Sequence, residues 1–258
     1  MNILVTGSRG FIGSQLMEDL RSKGFDPVGV DIEDRIPEET KFDIILHFGA
    51  RTLIRNSLNH PYEYFVDGLS LTMKCLEMAR KSDALFLYPS SGSTAEPSNA
   101  YSMSKKHGTE WINLYRNLYG TRAVIFRLFN IYGRNARKGA VYLFSKAALS
   151  GEKAIRFGDG SHVRDYLNVK DLSRTVLEVV NGNIKPGDYE LGSGKGTSVN
   201  DLIKTVETLS GRNIEVEERS YVLEEAENLV ARNSPVKNPM TLENGIREIL
   251  EKLKSELQ

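Results

Sequence analysis

"NILVTGSRGFIGS", residues 2–14, is an apolar run of strand length that breaks at three glycines, Gly7, Gly10 and Gly13, and passes at once into the helical-period stretch "FIGSQLMEDLRSKG". Gly7 permits a tight turn, Gly10 lets the backbone come close to a pyrophosphate, and Gly13 lets the following helix lie against the strand. The start of that helix offers unpaired N–H groups and a partial positive charge to an anion. A glycine triplet alone is a weak signal. Here a strand precedes it, a helix follows it, and an acidic residue, Asp31, closes the second apolar run 18 positions after Gly13. Together these features read as a dinucleotide site at the start of an α/β fold.

Asp31 would accept hydrogen bonds from the adenosine ribose and repel a 2′-phosphate, which favours NAD over NADP. Arg9 and Arg35 are the cations that could bind such a phosphate instead.

Further along, short apolar runs alternate with longer segments of helical period. Residues 27–31, 43–48, 84–88 and 123–129 read as strands, and segments near 11–23, 62–81 and 101–119 as helices. Strands that are apolar on both faces and alternate with helices predict a Rossmann-type doubly wound parallel sheet. After residue 130 the rhythm loosens, as expected of a smaller C-terminal α/β substrate lobe. The expected division is a dinucleotide domain at 1–152, with 163–192 returning to it, and a lobe made of 153–162 and 193–258. The least regular stretch is 219–240.

Lys+Arg and Asp+Glu both number 34, so no general attraction to nucleic acid or to an anionic membrane is expected, and any bound anion must be held by a local site. The single cysteine, Cys75, excludes an internal disulfide and sits among apolar residues at helical spacing as a core residue. No apolar run is long enough to span a bilayer, and Met1 leads straight into a strand without the regions of a signal peptide; a cytoplasmic protein is expected. His47, His60, His107 and His162 have no metal-ligand spacing, and no metal is expected.

Three of the 11 tyrosines have a lysine at the fourth position beyond them: Tyr101/Lys105, Tyr142/Lys146 and Tyr166/Lys170. Such a pair shares one face of a helix. Only Tyr101 follows a strand ending in two serines, Ser90 and Ser91, at the carboxyl end where open parallel sheets bind ligands. Turn residues Pro97, Ser98 and Asn99 precede it, and Trp111, Leu114 and Leu118 are expected to pack its helix.

The chain resembles the extended short-chain dehydrogenase/reductase family, and within it the NAD-dependent nucleotide-sugar epimerases and dehydratases. "TGSRGFIGS", "DIILHFGA", "SS" before "YSMSK", "FRLFNIYG", "GDGSHVRDYLNVKD" and "YELGSG" carry the resemblance, in the family's order. It implies a catalytic set of Ser91, Tyr101 and Lys105. It further implies cofactor contacts from Phe11, Ile12, Asp31, Ile32, Phe48, Gly49, Ala50, Thr52 and Phe129, beside Tyr101 and Lys105. Substrate contacts would come from Ser91, Tyr101, Asn130, Arg164 and Arg219, with Arg164 facing a nucleotide diphosphate. The chain departs from the family pattern in places. Residues 32–42 are too few for the extra strand usual after the second one, the loop from Ser91 to Tyr101 is short, and Asp67 stands where the family usually has Asn.

The implied activity is that of a UDP-hexose 4-epimerase with a transient 4-keto sugar, NAD as cofactor and a nucleotide-diphosphate sugar as substrate. A free phenol, with a pKa of about 10, must fall by roughly three units to act as a base at neutral pH. The Lys105 ammonium and the positive nicotinamide are expected to favour that fall. Dehydratases of the family look to Asp-Glu directly after the catalytic Ser/Thr, where this chain has Gly92-Ser93. A related dehydratase or reductase and a noncatalytic dinucleotide sensor are the alternatives. A homodimer is also implied, built on the helices near 62–81 and 101–119, which carry Leu69, Met73, Leu76, Trp111, Leu114 and Leu118.

Overall fold

The computed structural model describes residues 1–94, 98–220 and 228–256, so Pro97 and residues 221–227 of the irregular stretch lie outside the described residues. The first half runs β1 (Ile3–Thr6), α1 (Phe11–Ser22), β2 (Val28–Val30), β3 (Ile44–His47), α2 (Ile54–Asn59), α3 (Pro61–Ser82), β4 (Leu85–Ser91), α4 (Ala100–Tyr119) and β5 (Ala123–Leu128). There follow β6 (Asn130–Tyr132), α5 (Ala140–Ser150), β7 (Ala154–Phe157), β8 (Val163–Asn168), α6 (Val169–Val180) and β9 (Gly187–Leu191). The chain closes with β10 (Gly196–Ser198), α7 (Val199–Ser210), β11 (Val216–Arg219), β12 (Asn228–Leu229) and α8 (Leu242–Glu256).

Two compact units result: Met1–Leu128 with Ser173–Tyr189, and Phe129–Leu172 with Glu190–Gln258. The first boundary follows Leu128, earlier than the residue 152 expected from sequence, because β6 pairs with β8 (Asn130↔Tyr166) and α5 joins the core of the second unit.

In the first unit a six-stranded sheet runs in the order β2-β1-β3-β4-β5-β9. The pairs from β2 to β5 are parallel, with Leu4 opposite both Val28 and Ile45, and Tyr88 opposite Ile125. All four residues of β1 are buried, as a central strand covered on both faces requires. Helix α1 buries Gly13, Leu16, Met17 and Leu20, one stripe at helical spacing. The chain leaves β1 toward β2 on one side and returns to β3 on the other, so the crevice of the sheet opens beyond Thr6 and His47. As the short segment 32–42 requires, no strand intervenes between β2 and β3.

Helix α4 buries Ser102, Lys105, Gly108 and Ile112, while Trp111, Leu114 and Leu118 are 39%, 42% and 62% exposed. Of the residues expected at an intersubunit face, these three stand at the surface, whereas Leu76 of α3 is buried in the core. A Cβ on Gly108 would lie 2.3 Å from Tyr88 Oη and 2.7 Å from Cζ, so glycine here lets α4 lie close against β4.

In the second unit β8 pairs with β10, β12 and β6, and β7 pairs with β11 in a separate ribbon. Its core gathers Phe144, Leu202, Val206, Ile246, Ile249 and Leu250 from α5, α7 and α8.

Gly108→Ala is expected to destabilise the protein by about 1–3 kcal/mol, the usual cost of overpacking, measured by urea unfolding. Adding Tyr88→Phe, which removes the nearest clashing atom, should restore part of the loss.

Candidate functional site

The turn after β1 brings backbone to backbone. Gly7 has φ +68°, and a Cβ on it would lie 2.8 Å from the Gly49 nitrogen. A Cβ on Gly13 would lie 2.0 Å from the Gly7 carbonyl oxygen. The two loops beyond β1 and β3 thus approach at a distance that only glycine allows, leaving the α1 N-terminus facing a backbone cradle. Such a cradle fits a dinucleotide pyrophosphate. Phe11, Ile12, Phe48, Gly49 and Ala50 are half-buried around these loops, while Ile32 and Thr52 are exposed.

His47 ties the loops together. The Thr72 hydroxyl donates to the Gly68 carbonyl at 2.7 Å, so His47 Nε2, 2.9 Å from Thr72 Oγ1, must donate to it. Nδ1 then accepts from the Thr6 hydroxyl at 2.8 Å, and Thr6 Oγ1 in turn accepts the Gly49 N–H at 2.9 Å. Every proton in the series has an assigned direction. Burial, with the nearby Lys105 charge, holds the imidazole neutral down to a pKa of about 3. His47, the last residue of β3, is thus fully satisfied, and nothing in the sequence marks Thr6 and Thr72 as its partners, 41 and 25 positions away.

Just after β2, the Asp31 carboxylate accepts the Arg9 and Ile32 N–H groups, each at 2.9 Å. Asp67, where Asn was usual, accepts Arg51 Nε at 2.7 Å.

Ser91 ends β4, and Tyr101 and Lys105 lie one turn apart at the start of α4. A capping box starts α4: the Asn99 side chain accepts the Ser102 N–H at 2.9 Å, which places Tyr101 in the first turn. Ser91 and the Tyr101 phenol share a hydrogen bond. Burial pushes that phenol up to about 12; the Ser91 hydrogen bond pulls the other way, and Tyr64 adds a small upward push. Ser90 is turned elsewhere, toward Thr109 Oγ1 at 3.1 Å. Lys105 is 6% exposed, donates to the Pro89 carbonyl at 2.8 Å and holds its ammonium 4.7 Å from the Tyr88 ring centre. Burial lowers it from 10.5 to about 8. Tyr88 was missed in the sequence, where it reads as one more apolar strand residue.

The rival pairs are occupied otherwise. Lys146 pairs with Glu152 and Lys170 with Glu248, each at 2.8 Å, and Tyr166 is buried in β8.

The remaining expected residues belong to the second unit. Phe129 donates its N–H to Leu191 O at 3.4 Å, and the Asn130 amide donates to Asp165 O at 3.3 Å. Arg164, almost fully buried, donates to Val163 O at 2.9 Å. Next to it, the fully buried Asp165 accepts the Ser193 N–H and hydroxyl at 2.8 and 2.6 Å, the Gly194 N–H at 2.9 Å and the Ala231 N–H at 3.2 Å. Arg219 is on the β7/β11 ribbon, half-exposed and paired with Glu217 at 2.7 Å.

Comparison with known proteins places these features in a family context. The family described as NAD dependent epimerase/dehydratase matches residues 3–192. A UDP-glucose 4-epimerase of Rhizobium meliloti is 29% identical, with 82% of each chain covered. Two solved structures are similar in fold. One is the UDP-glucose 4-epimerase of Thermotoga maritima with UDP-glucose, at TM-score 0.89, 23% identity and full coverage of both chains. The other is the UDP-glucuronic acid 4-epimerase of Bacillus cereus, a Tyr-to-Phe mutant with a fluorinated UDP-sugar and NAD, at TM-score 0.92, 21% identity, and 99% of this chain and 100% of the other covered.

Lys105→Met tests the cost of the buried ammonium. The unfolded lysine titrates near 10.5 and the folded one near 8, so the unfolded chain holds more protons between those values and stability rises with pH across that window. The penalty is complete below pH 8. Without cofactor the variant should gain roughly 1–3 kcal/mol at about pH 7 and almost nothing near pH 10.5, read from urea midpoints at both.

Proposed function

The chain belongs to the NAD dependent epimerase/dehydratase family, and on that premise we propose that it is a UDP-hexose 4-epimerase acting through a transient 4-keto sugar. The observation that carries the reading is the hydrogen bond between Ser91 and the Tyr101 phenol at the carboxyl end of β4. Of the three tyrosine–lysine pairs in the sequence, this one has a strand-terminal hydroxyl beside the phenol.

NAD, when bound, supplies a reversible two-electron acceptor for the sugar's C4 carbon. Tyr101 takes the proton of the C4 hydroxyl, and Ser91 hydrogen-bonds the same oxygen and orients it. In the protein by itself burial drives the phenol up to about 12, so the fall that proton abstraction needs comes with cofactor binding. Lys105, held on Pro89 O, has further donors for the nicotinamide ribose and adds positive charge near the phenolate. Gly7, Gly10 and Gly13 admit the pyrophosphate, with Phe11, Ile12, Phe48, Gly49, Ala50, Thr52 and Phe129 around the cofactor and Asp31 and Ile32 at its ribose. Asn130 and Arg164 are assigned to the substrate, Arg164 to its nucleotide diphosphate, with Arg219 as a second phosphate ligand. Gly92-Ser93 leaves no acid–base pair after Ser91 for eliminating water, which supports epimerisation over dehydration.

Tyr101→Phe is expected to keep NAD binding and lose turnover by about 10²–10⁴-fold, the usual effect of deleting a general acid–base, while Tyr142→Phe and Tyr166→Phe stay near wild type. The assay is UDP-glucose/UDP-galactose interconversion with parallel calorimetry. Formation of a 4-keto-6-deoxy sugar by the wild type would refute the epimerase assignment.

A homodimer is part of the proposal. Helices α3 and α4 pack side by side and leave Tyr62, Phe65, Trp111, Leu114 and Leu118 exposed, an apolar face that a second copy would cover. Light scattering should give twice the 28.9 kDa chain mass, and Leu114→Glu should shift the population toward monomer.

A further inference from the structure

Two donors of the adenosine-side loop converge on one oxygen. Asp34 Oδ2 accepts the Asp31 N–H at 2.7 Å and Arg9 Nη1 at 2.7 Å. The hydrogen bond to Asp34, with the charges of Asp34, Asp31 and Glu33, raises the Arg9 guanidinium above its ordinary range. Arg9 and the Asp31 N–H in turn hold the Asp34 carboxyl low. A guanidinium and a backbone N–H meeting at one point form a donor set suited to a phosphate monoester. In dinucleotide folds the acidic residue ending the second strand takes the ribose 2′-hydroxyl, and a nearby arginine accommodates a 2′-phosphate. This chain carries both features, in Asp31 and Arg9. What decides between them is a third residue.

We propose that Asp34 is a specificity-determining residue: its carboxylate occupies the anion position between the Asp31 N–H and Arg9, and so excludes the 2′-phosphate of NADP. Its oxygen stands in for a phosphate oxygen, bound from within the chain. A 2′-phosphate would have to displace it from both donors and would meet the Asp31 and Glu33 charges as well. The ribose hydroxyls of NAD make no such demand, because a carboxylate has about four lone-pair sites and two N–H groups leave Asp31 free to accept more. The inference rests on the Gly7–Gly13 turn binding a dinucleotide, and goes further by explaining why Arg9 does not convert that site to NADP. Asp34 lies at the surface on a turn, so replacing it leaves the core intact.

Calorimetry on the full chain with NAD, NADP and adenosine 2′,5′-bisphosphate tests this in the wild type, Asp34→Ala, Asp34→Asn and Asp34→Ala/Arg9→Ala. Removing the carboxylate should tighten NADP and the bisphosphate about tenfold or more while NAD changes less than about threefold, and adding Arg9→Ala should abolish the gain. Asp34→Asn should act in the same direction, since it removes the charge and keeps the shape. The proposal is overturned if NAD binds and the NADP-to-NAD ratio in Asp34→Ala stays at the wild-type value, or if the gain survives loss of Arg9. A wild type that binds neither dinucleotide would overturn the site reading itself, and this inference with it.

Discussion

The directed hydrogen bonds from Gly49 N–H through Thr6, His47 and Thr72 to Gly68 O set how closely the loop after β3 can stand to the glycine turn after β1. Each hydroxyl has one proton to give, so reversing any member would leave two donors or two acceptors facing each other in the core. The series needs a neutral imidazole, and burial enforces that. Once the Gly49 backbone is held, Gly7 must be glycine, since a Cβ there would meet the Gly49 nitrogen. Gly13 must be glycine for the same kind of reason on the other side. The cradle is therefore a consequence of backbone spacing, and the spacing is set by a polar core that is fully satisfied.

Beside it, α4 buries an ammonium where an apolar side chain would ordinarily lie. A helix in this position would ordinarily bury its apolar stripe. Here the buried stripe carries Ser102, Lys105 and Gly108, and the large apolar residues are turned outward. Gly108 brings the helix onto Tyr88, and one turn earlier that approach delivers Lys105 to the Pro89 carbonyl. A desolvated ammonium costs stability wherever it sits, and sites of perturbed titration gather where function needs them. The outward face of the same helix is the counterpart of that arrangement: the apolar surface missing from the core stands at the surface.

In the second unit a single carboxylate does comparable work. Asp165 gathers four donors from the loop after β9 and from the segment after β12 onto β8. Its neighbour Arg164 thus stands on a strand whose surroundings are held by a buried anion. Gly192 belongs to the same arrangement, because a Cβ there would lie 2.3 Å from Asp165 Oδ2.

The local periodicities of the sequence were enough for the β1–turn–α1 unit, the parallel sheet and Asp31 after β2, and the order of motifs that resembles a known family pointed to Ser91, Tyr101 and Lys105 and to the missing strand between β2 and β3. The first group depends on interactions between residues close in the chain, or on burial patterns that repeat every two or 3.6 residues. Tertiary structure alone decided which face of α4 turns inward, that Lys105 reaches Pro89 O, that His47 joins Thr6 to Thr72, that Arg9 is held by Asp34, and that the first unit ends at Leu128. Those outcomes join residues up to 41 positions apart, as in Thr6–His47, or hang on the close approach of two backbones. No pattern within a segment records such a distance, because a helix carrying two possible inward faces is assigned one only when the strand beside it supplies the partner.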